Sequence, residues 1–161
     1  MKTLWAPWRM DFILKPREKG CIFCKRARRK RDREDLILFR GRHSFVILNR
    51  FPYSNCHLMV VPYKHTPALD RLDSATYVEI MRLMSKATRV IRRAFKAQGF
   101  NLGSNIGHSA GAGIADHVHF HVVPRWVGDH NFMPIVGETK VMPDHLENIY
   151  DQIKKAWRKY S

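Results

Sequence analysis

The stretch Asp116-His117-Val118-His119-Phe120-His121-Val122-Val123-Pro124-Arg125 sets three histidines in strict alternation with apolar residues. On a β-strand, successive side chains point to opposite faces. His117, His119 and His121 therefore share one face, and Val118, Phe120 and Val122 share the other. The apolar face suits a core. The histidine face lines three imidazoles along one edge of a pocket. A zinc tripod and a half-buried strand with polar decoration are the plainer readings. Perfect alternation of three weighs against them, because burying three imidazoles without partners is costly.

The rest of the composition narrows the setting. A chain of 161 residues predicts one domain, 1–161. With 45% hydrophobic residues it has enough apolar material for a core. No apolar run approaches a membrane span, and the tryptophan-rich start lacks the apolar block of a signal peptide, so a cytoplasmic protein without a membrane partner is expected. Three cysteines, two of them in Cys21-x-x-Cys24, argue against a disulfide framework. The formal net charge of +15 points to anionic partners such as nucleotides or polyphosphates. Lys25 to Arg33 carries much of the excess, yet no aromatic residue interrupts it to stack on bases, which weighs against nucleic acid.

Along the chain, Leu36–Phe39, Ser44–Asn49 and His57–Val61 read as strands, bulky and apolar and separated by turn residues. Asp73 or Ser74 caps a long helix with Tyr77, Ile80, Met81, Met84, Ala87, Ile91 and Phe95 as its apolar stripe, ended by Gly99. Phe100–Gly107 reads as a further strand. Ser109 to Gly113 is a loop of small residues whose backbone amides could approach an anion. A helix over 144–160 places Leu146, Ile149, Ile153 and Trp157 on one side. Cys21-x-x-Cys24 is half of a tetrahedral zinc site or a thiol redox pair.

His-Val-His-Phe-His-Val-Val resembles the signature of the histidine triad (HIT) family of nucleotidyl hydrolases and transferases. Leu4-Trp5-Ala6-Pro7-Trp8-Arg9, Ala110-Gly111-Ala112-Gly113-Ile114 and Gly128-Asp129-His130-Asn131-Phe132 are similar to segments of its bacterial branch resembling diadenosine tetraphosphate phosphorylases. The resemblance implies an α+β fold: a five-stranded antiparallel sheet, one long helix and a C-terminal helix, in a homodimer. Residues 1–20 would be a docking segment. The resemblance implies His119 as nucleophile, with His121 and His57 binding phosphate and orienting it. Substrate would meet Ile47, Asn49 (on the ribose), Gly111, Ala112, Gly113 and His121. A structural Zn2+ would sit on Cys21, Cys24, His65 and His117. The implied activity is cleavage of diadenosine polyphosphates by phosphorolysis or hydrolysis. A purine nucleotide-binding protein or a phosphoramidate hydrolase of the same family is the alternative, and a zinc-stabilised nucleic-acid-binding module using Lys25 to Arg33 is a more distant one. Two departures stand out. Cys56 replaces a usual glycine, and Gly113 lacks the polar side chain of the hydrolase branch.

Overall fold

The computed structural model describes residues 20–129 and 144–160. The tryptophan-rich docking segment up to residue 19, the His130 to Phe132 part of the similar segment, and Pro143 lie outside the described residues.

A short helix, α1 (Ile22–Arg28), opens the described chain. The strands β1 (Ile37–Arg40), β2 (Ser44–Leu48) and β3 (Leu58–Pro62) follow. Next come the long helix α2 (Ser74–Phe95), β4 (Gly99–Gly103), β5 (Phe120–Arg125) and the C-terminal helix α3 (Leu146–Lys159). The five strands form one sheet in the order β1-β2-β3-β5-β4, antiparallel throughout. This is the α+β architecture that the resemblance implies. β2 and β3 are buried along their whole length, so their uniform Phe-Val-Ile-Leu and Leu-Met-Val-Val runs reflect burial on both faces.

Asp73 caps α2, accepting the Thr76 amide at 2.8 Å. The buried stripe of α2 is Thr76, Ile80, Leu83, Met84, Ala87, Val90 and Ile91. Met81, expected in the stripe, is 60% exposed. It sits about 100° around the helix from Ile80, which already faces the core. The helix ends at Lys96, which takes the left-handed conformation (φ 57°), and not at Gly99, which begins β4. β4 stops at Gly103, short of the expected Gly107. At the β1–β2 turn, the Glu79 carboxylate of α2 accepts the Arg42 and His43 amides at 2.8 and 2.7 Å. Gly41 suits this turn, since a Cβ would meet the Ser44 carbonyl oxygen at 2.9 Å as well as Glu79 Oε1 at 2.8 Å.

The two sheet edges differ. α3 covers β1: Tyr150 Oη donates to the Ile37 carbonyl at 3.0 Å and Lys154 Nζ to the Leu38 carbonyl at 2.7 Å. That satisfies carbonyls an edge strand would otherwise expose. β4, at the other edge, presents Asn101, Leu102 and Gly103 to solvent. α1 was not foreseen as a helix; the Arg40 guanidinium closes its C-terminal end by donating to the carbonyls of Ala27 (2.6 Å), Arg26 (3.3 Å) and Arg29 (2.6 Å).

Candidate active site

The triad segment is only half sheet. Regular pairing begins at Phe120, and His121 lies opposite Met59 of β3 and Gly103 of β4. His117 to His119 precede the ladder, tied by the Val118 amide to the Thr66 carbonyl at 2.7 Å. Val118 and Val122 are buried as the alternation requires, but so are the histidines: His117 is 1% exposed, His119 4% and His121 8%. His57, fully buried, stands just before β3. The histidine face is therefore packed, and each imidazole must find partners.

Those partners fix the tautomers. The Tyr53 amide donates to His57 Nδ1 at 2.9 Å, and the Asn49 side-chain amide lies 3.2 Å from the same atom. Asn49 Oδ1 accepts the Phe51 amide at 3.0 Å, so it is Asn49 Nδ2 that faces the ring. A nitrogen accepting from a backbone N–H carries no proton, so in neutral His57 the proton is on Nε2. His57 Nε2 lies 2.9 Å from His121 Nδ1 and donates to it. His121 in turn keeps its proton on Nε2 and presents a donor. His119 is set differently: Nδ1 donates to the His117 carbonyl at 2.9 Å, which leaves Nε2 as a bare lone pair. The rings of His119 and His121 are 4.9 Å apart at 77°. A nucleophilic nitrogen and a hydrogen-bond donor thus stand side by side.

Burial favours the neutral forms that this chain of bonds needs. It pushes His119 below its ordinary value, against the opposing pull of the His117 carbonyl. It lowers His121 to about 4, with the charge of neighbouring His119 adding to the effect.

The second cluster begins where the first ends. His117 Nε2 donates to the Pro62 carbonyl at 2.9 Å, so its Nδ1 lone pair faces the other way. It faces Cys21 Sγ at 3.2 Å, Cys24 Sγ at 3.6 Å and His65 Nδ1 at 3.2 Å; Cys24 Sγ lies 3.4 Å from His65 Nδ1. All four donor atoms fall within 4.8 Å of one another. A tetrahedral zinc with arms of about 2.3 Å to sulfur and about 2.0 Å to nitrogen has edges of about 3.3 to 3.8 Å. The four separations from 3.2 to 3.6 Å lie close to that shell, and two thiolates with two neutral imidazoles form a donor set suited to zinc. Burial, then neighbouring Cys21, raises the Cys24 thiol; a bound cation would favour its thiolate. Phe23, between the two cysteines and fully buried, packs its ring against His117 at 5.4 Å and His119 at 5.1 Å.

The remaining candidates divide. Gly111 takes φ 81°, which only glycine adopts without strain, and Gly113 is exposed beside it. The Gly111 and Ala112 amides are engaged within the loop, by the His108 carbonyl at 2.9 Å and the Gly107 carbonyl at 3.3 Å, leaving the Gly113 amide without a backbone partner among the described residues. Ile47 is fully buried in β2. Cys56 keeps the glycine conformation, with φ 57°, and its thiol is buried and pushed up to about 12. A cavity of about 390 Å³ lies apart from the histidines, lined by Arg33, Glu34, Leu36, Arg50 and Tyr150 among others, with acids offsetting the arginines. Sequence reasoning missed Tyr53, whose amide sets the His57 tautomer, and Thr66, Ser104 and Pro62, which hold the triad backbone or ring. Three of these four act at least partly through backbone groups, which leave no trace in residue type.

Comparison with known proteins agrees with this geometry. The HIT domain profile matches residues 30–127. A protein named AP-4-A phosphorylase from Mycobacterium tuberculosis is 36% identical over 98% of this chain and 85% of its own length. Among solved structures, a hypothetical histidine triad nucleotide-binding protein from Sulfolobus tokodaii superposes with a TM-score of 0.70 at 28% identity, over 86% of this chain and 93% of that one. A zinc-bound histidine triad family protein from Mycobacterium smegmatis superposes with a TM-score of 0.69 at 24% identity, over 87% and 94%, and shares the fold. With its alternating histidines, its five-stranded sheet and these relatives, the chain belongs to the HIT domain family.

Proposed function

We propose that the protein cleaves diadenosine polyphosphates, with diadenosine tetraphosphate the favoured substrate, through a nucleotidyl-histidine on His119. The observation that carries the reading is the pairing of a bare His119 Nε2 with a proton-bearing His121 Nε2 on adjacent rings. The named activity of the Mycobacterium tuberculosis relative supports it. His119 Nε2 attacks the α-phosphorus. An N–P bond forms, the P–O bond to the distal phosphates breaks, and the electron pair leaves with ATP. His121 Nε2–H and the Gly113 amide supply hydrogen bonds to the phosphoryl oxygens as charge builds there. His57, held by Asn49 and the Tyr53 amide, keeps His121 in the donating tautomer. Asn49 retains a second N–H for a ribose hydroxyl, and Ile47 shapes the sheet below from within the core. Orthophosphate then attacks the phosphorus, releases ADP and restores His119; water in its place gives AMP.

Cys21, Cys24, His65 and His117 would hold one zinc, which when bound fixes α1 and the start of the triad segment and takes no part in the chemistry. The chain would act as a single domain and as a homodimer, with the uncovered β4 edge and exposed Leu102 (49%) the surface available for pairing. Three thiols without disulfides fit a cytoplasmic setting. Among the described residues, no helix is long and apolar enough to cross a membrane.

The test is incubation with diadenosine tetraphosphate and radiolabelled orthophosphate. Label in ADP, with ATP as co-product, is the expected result. AMP plus ATP without label would mean that water is the acceptor. No turnover of the dinucleotide would overturn the reading.

A further inference from the structure

Cleavage of a dinucleotide leaves a departing half that must also be held. Tyr53 lies beside the His57–His121 pair. Its ring packs on His57 at 4.8 Å and on His121 at 5.6 Å, the two rings of the donor relay. Unlike those buried rings, Tyr53 is 59% exposed. One side of the ring is seated on the histidines and the rest faces solvent. Its hydroxyl has no hydrogen-bond partner among the described residues, whereas those of Tyr77 and Tyr150 donate to backbone carbonyls.

An isolated exposed aromatic is ordinary on a protein surface. This one differs in being fixed. The loop that carries it is pinned at both ends, by the Asn49 amide to the His57 carbonyl at 2.9 Å and by the Tyr53 amide to His57 Nδ1. Within it, Asn49 Oδ1 holds the Phe51 amide and Asn55 Oδ1 the Cys56 amide, at 3.0 Å each. A rigid, flat, half-exposed ring beside the phosphate-binding donor is a ready platform for a planar base, and little conformational entropy is lost in using it.

In-line displacement puts the leaving phosphates opposite His119 Nε2. His121 is the donor next to that nucleophile, and Tyr53 packs on its ring. We propose that Tyr53 is a binding subsite for the nucleobase of the leaving nucleotide, so that the protein distinguishes a dinucleoside polyphosphate from a mononucleotide with the same phosphate chain. The inference rests on the cleavage reading given above. Base-on-aromatic stacking is sequence-tolerant, so the subsite would accept any base in the leaving half.

The experiment compares two substrates, diadenosine tetraphosphate and adenosine 5′-tetraphosphate, which lacks only the second nucleoside. For each of wild type, Tyr53→Leu and Tyr53→Phe, kcat and KM are measured on both. Tyr53→Leu should raise KM for the dinucleotide about tenfold more than for the mononucleotide, the size expected for one lost stacking contact. Tyr53→Phe should restore the wild-type ratio, because it keeps the ring. Equal losses on both substrates would overturn the proposal, since Tyr53 would then act only as support for His57. An unchanged ratio in Tyr53→Leu would overturn it as well. If wild type turns over the mononucleotide but not the dinucleotide, the subsite is absent. If it turns over neither, the cleavage reading itself has failed and the subsite falls with it.

Discussion

Two histidine clusters share the segment His117–His121, and they are organised in opposite senses. At the His117 end, lone pairs converge: His117 Nδ1, His65 Nδ1 and two sulfurs face one point within 4.8 Å. At the His121 end, donors and acceptors alternate: Asn49 and the Tyr53 amide to His57, then His57 to His121. The residue types are nearly the same. What differs is where the far nitrogen of each ring is satisfied. His117 gives its Nε2 proton to Pro62 and turns Nδ1 to the cluster, whereas His119 gives its Nδ1 proton to the His117 carbonyl and turns Nε2 outward. A backbone carbonyl on one nitrogen decides which nitrogen of the imidazole offers its lone pair.

The comparison predicts that damage at the two ends has different consequences. The largest effect belongs to His119. His119→Ala should cut turnover of diadenosine tetraphosphate by about 10⁴-fold or more, as removal of a covalent nucleophile does. Substrate binding, followed by calorimetry, should persist. A variant with near-normal kcat would remove His119 from the role.

The metal end should fail in stability first. Cys24→Ser, or complete chelation, should lower stability by about 3–5 kcal/mol, on the order of 10 °C in melting temperature for a chain this size. Wild type should contain one zinc per chain by metal analysis. A zinc-free protein of undiminished melting temperature would contradict the assignment.

The relay end should show itself in acid. His121 sits near 4 in the folded protein against an ordinary 6.5, because burial disfavours its charged form. As pH falls from about 6.5 to about 4, the unfolded chain takes up a proton that the folded one refuses, so stability falls across that window. Above it the contribution is complete. His121→Asn should flatten the stability profile between those values, and denaturant midpoints measured at each pH would reveal it. An unaltered slope would place the acid sensitivity elsewhere.

The smallest effect separates two ingredients at Cys56. This residue adopts a left-handed backbone and buries its side chain, with 1% exposure. Cys56→Gly relieves the backbone but empties the space of the thiol. Cys56→Ala empties the space without the relief. Glycine should therefore be more stable than alanine by about 1 kcal/mol, with both near or below wild type. The reverse order in chemical denaturation would mean that the turn relaxes in the variants.

Much of the framework was legible because it depends on side-chain pattern. The strands announce themselves through apolar runs, whereas of the Cys/His cluster only Cys21-x-x-Cys24 is a pattern in the residues, His65 and His117 entering through the family resemblance. The N-cap Asp73 was visible too. Other features were hidden for physical reasons. Met81 and Val90 are both apolar and one turn or so from core positions, so the buried face is settled only by what α2 packs against. α1 depends on Arg40, twelve residues beyond the end of the helix, to cap its carbonyls. The tautomers depend on the Pro62 and His117 carbonyls and the Tyr53 amide, groups every residue or nearly every residue carries. The partners of the basic run were hidden as well. Arg26 and Arg29 lie within 3.9 Å of Asp35, Arg31 pairs with Glu34 and Arg33 with Asp151. Much of that charge is therefore answered within the fold, at acids that the run's composition alone does not reveal.

The central claim is that the bare nitrogen of His119 becomes covalently bound to a nucleotide. The direct measurement is peptide mapping by mass spectrometry of protein quenched during turnover of diadenosine tetraphosphate, under conditions that preserve phosphoramidate bonds. The expected result is an adenylyl group on the peptide containing His117 to His121, localised to His119 and absent from His119→Ala. An adduct on His121 or His57, or rapid turnover with no adduct at any histidine, would contradict it.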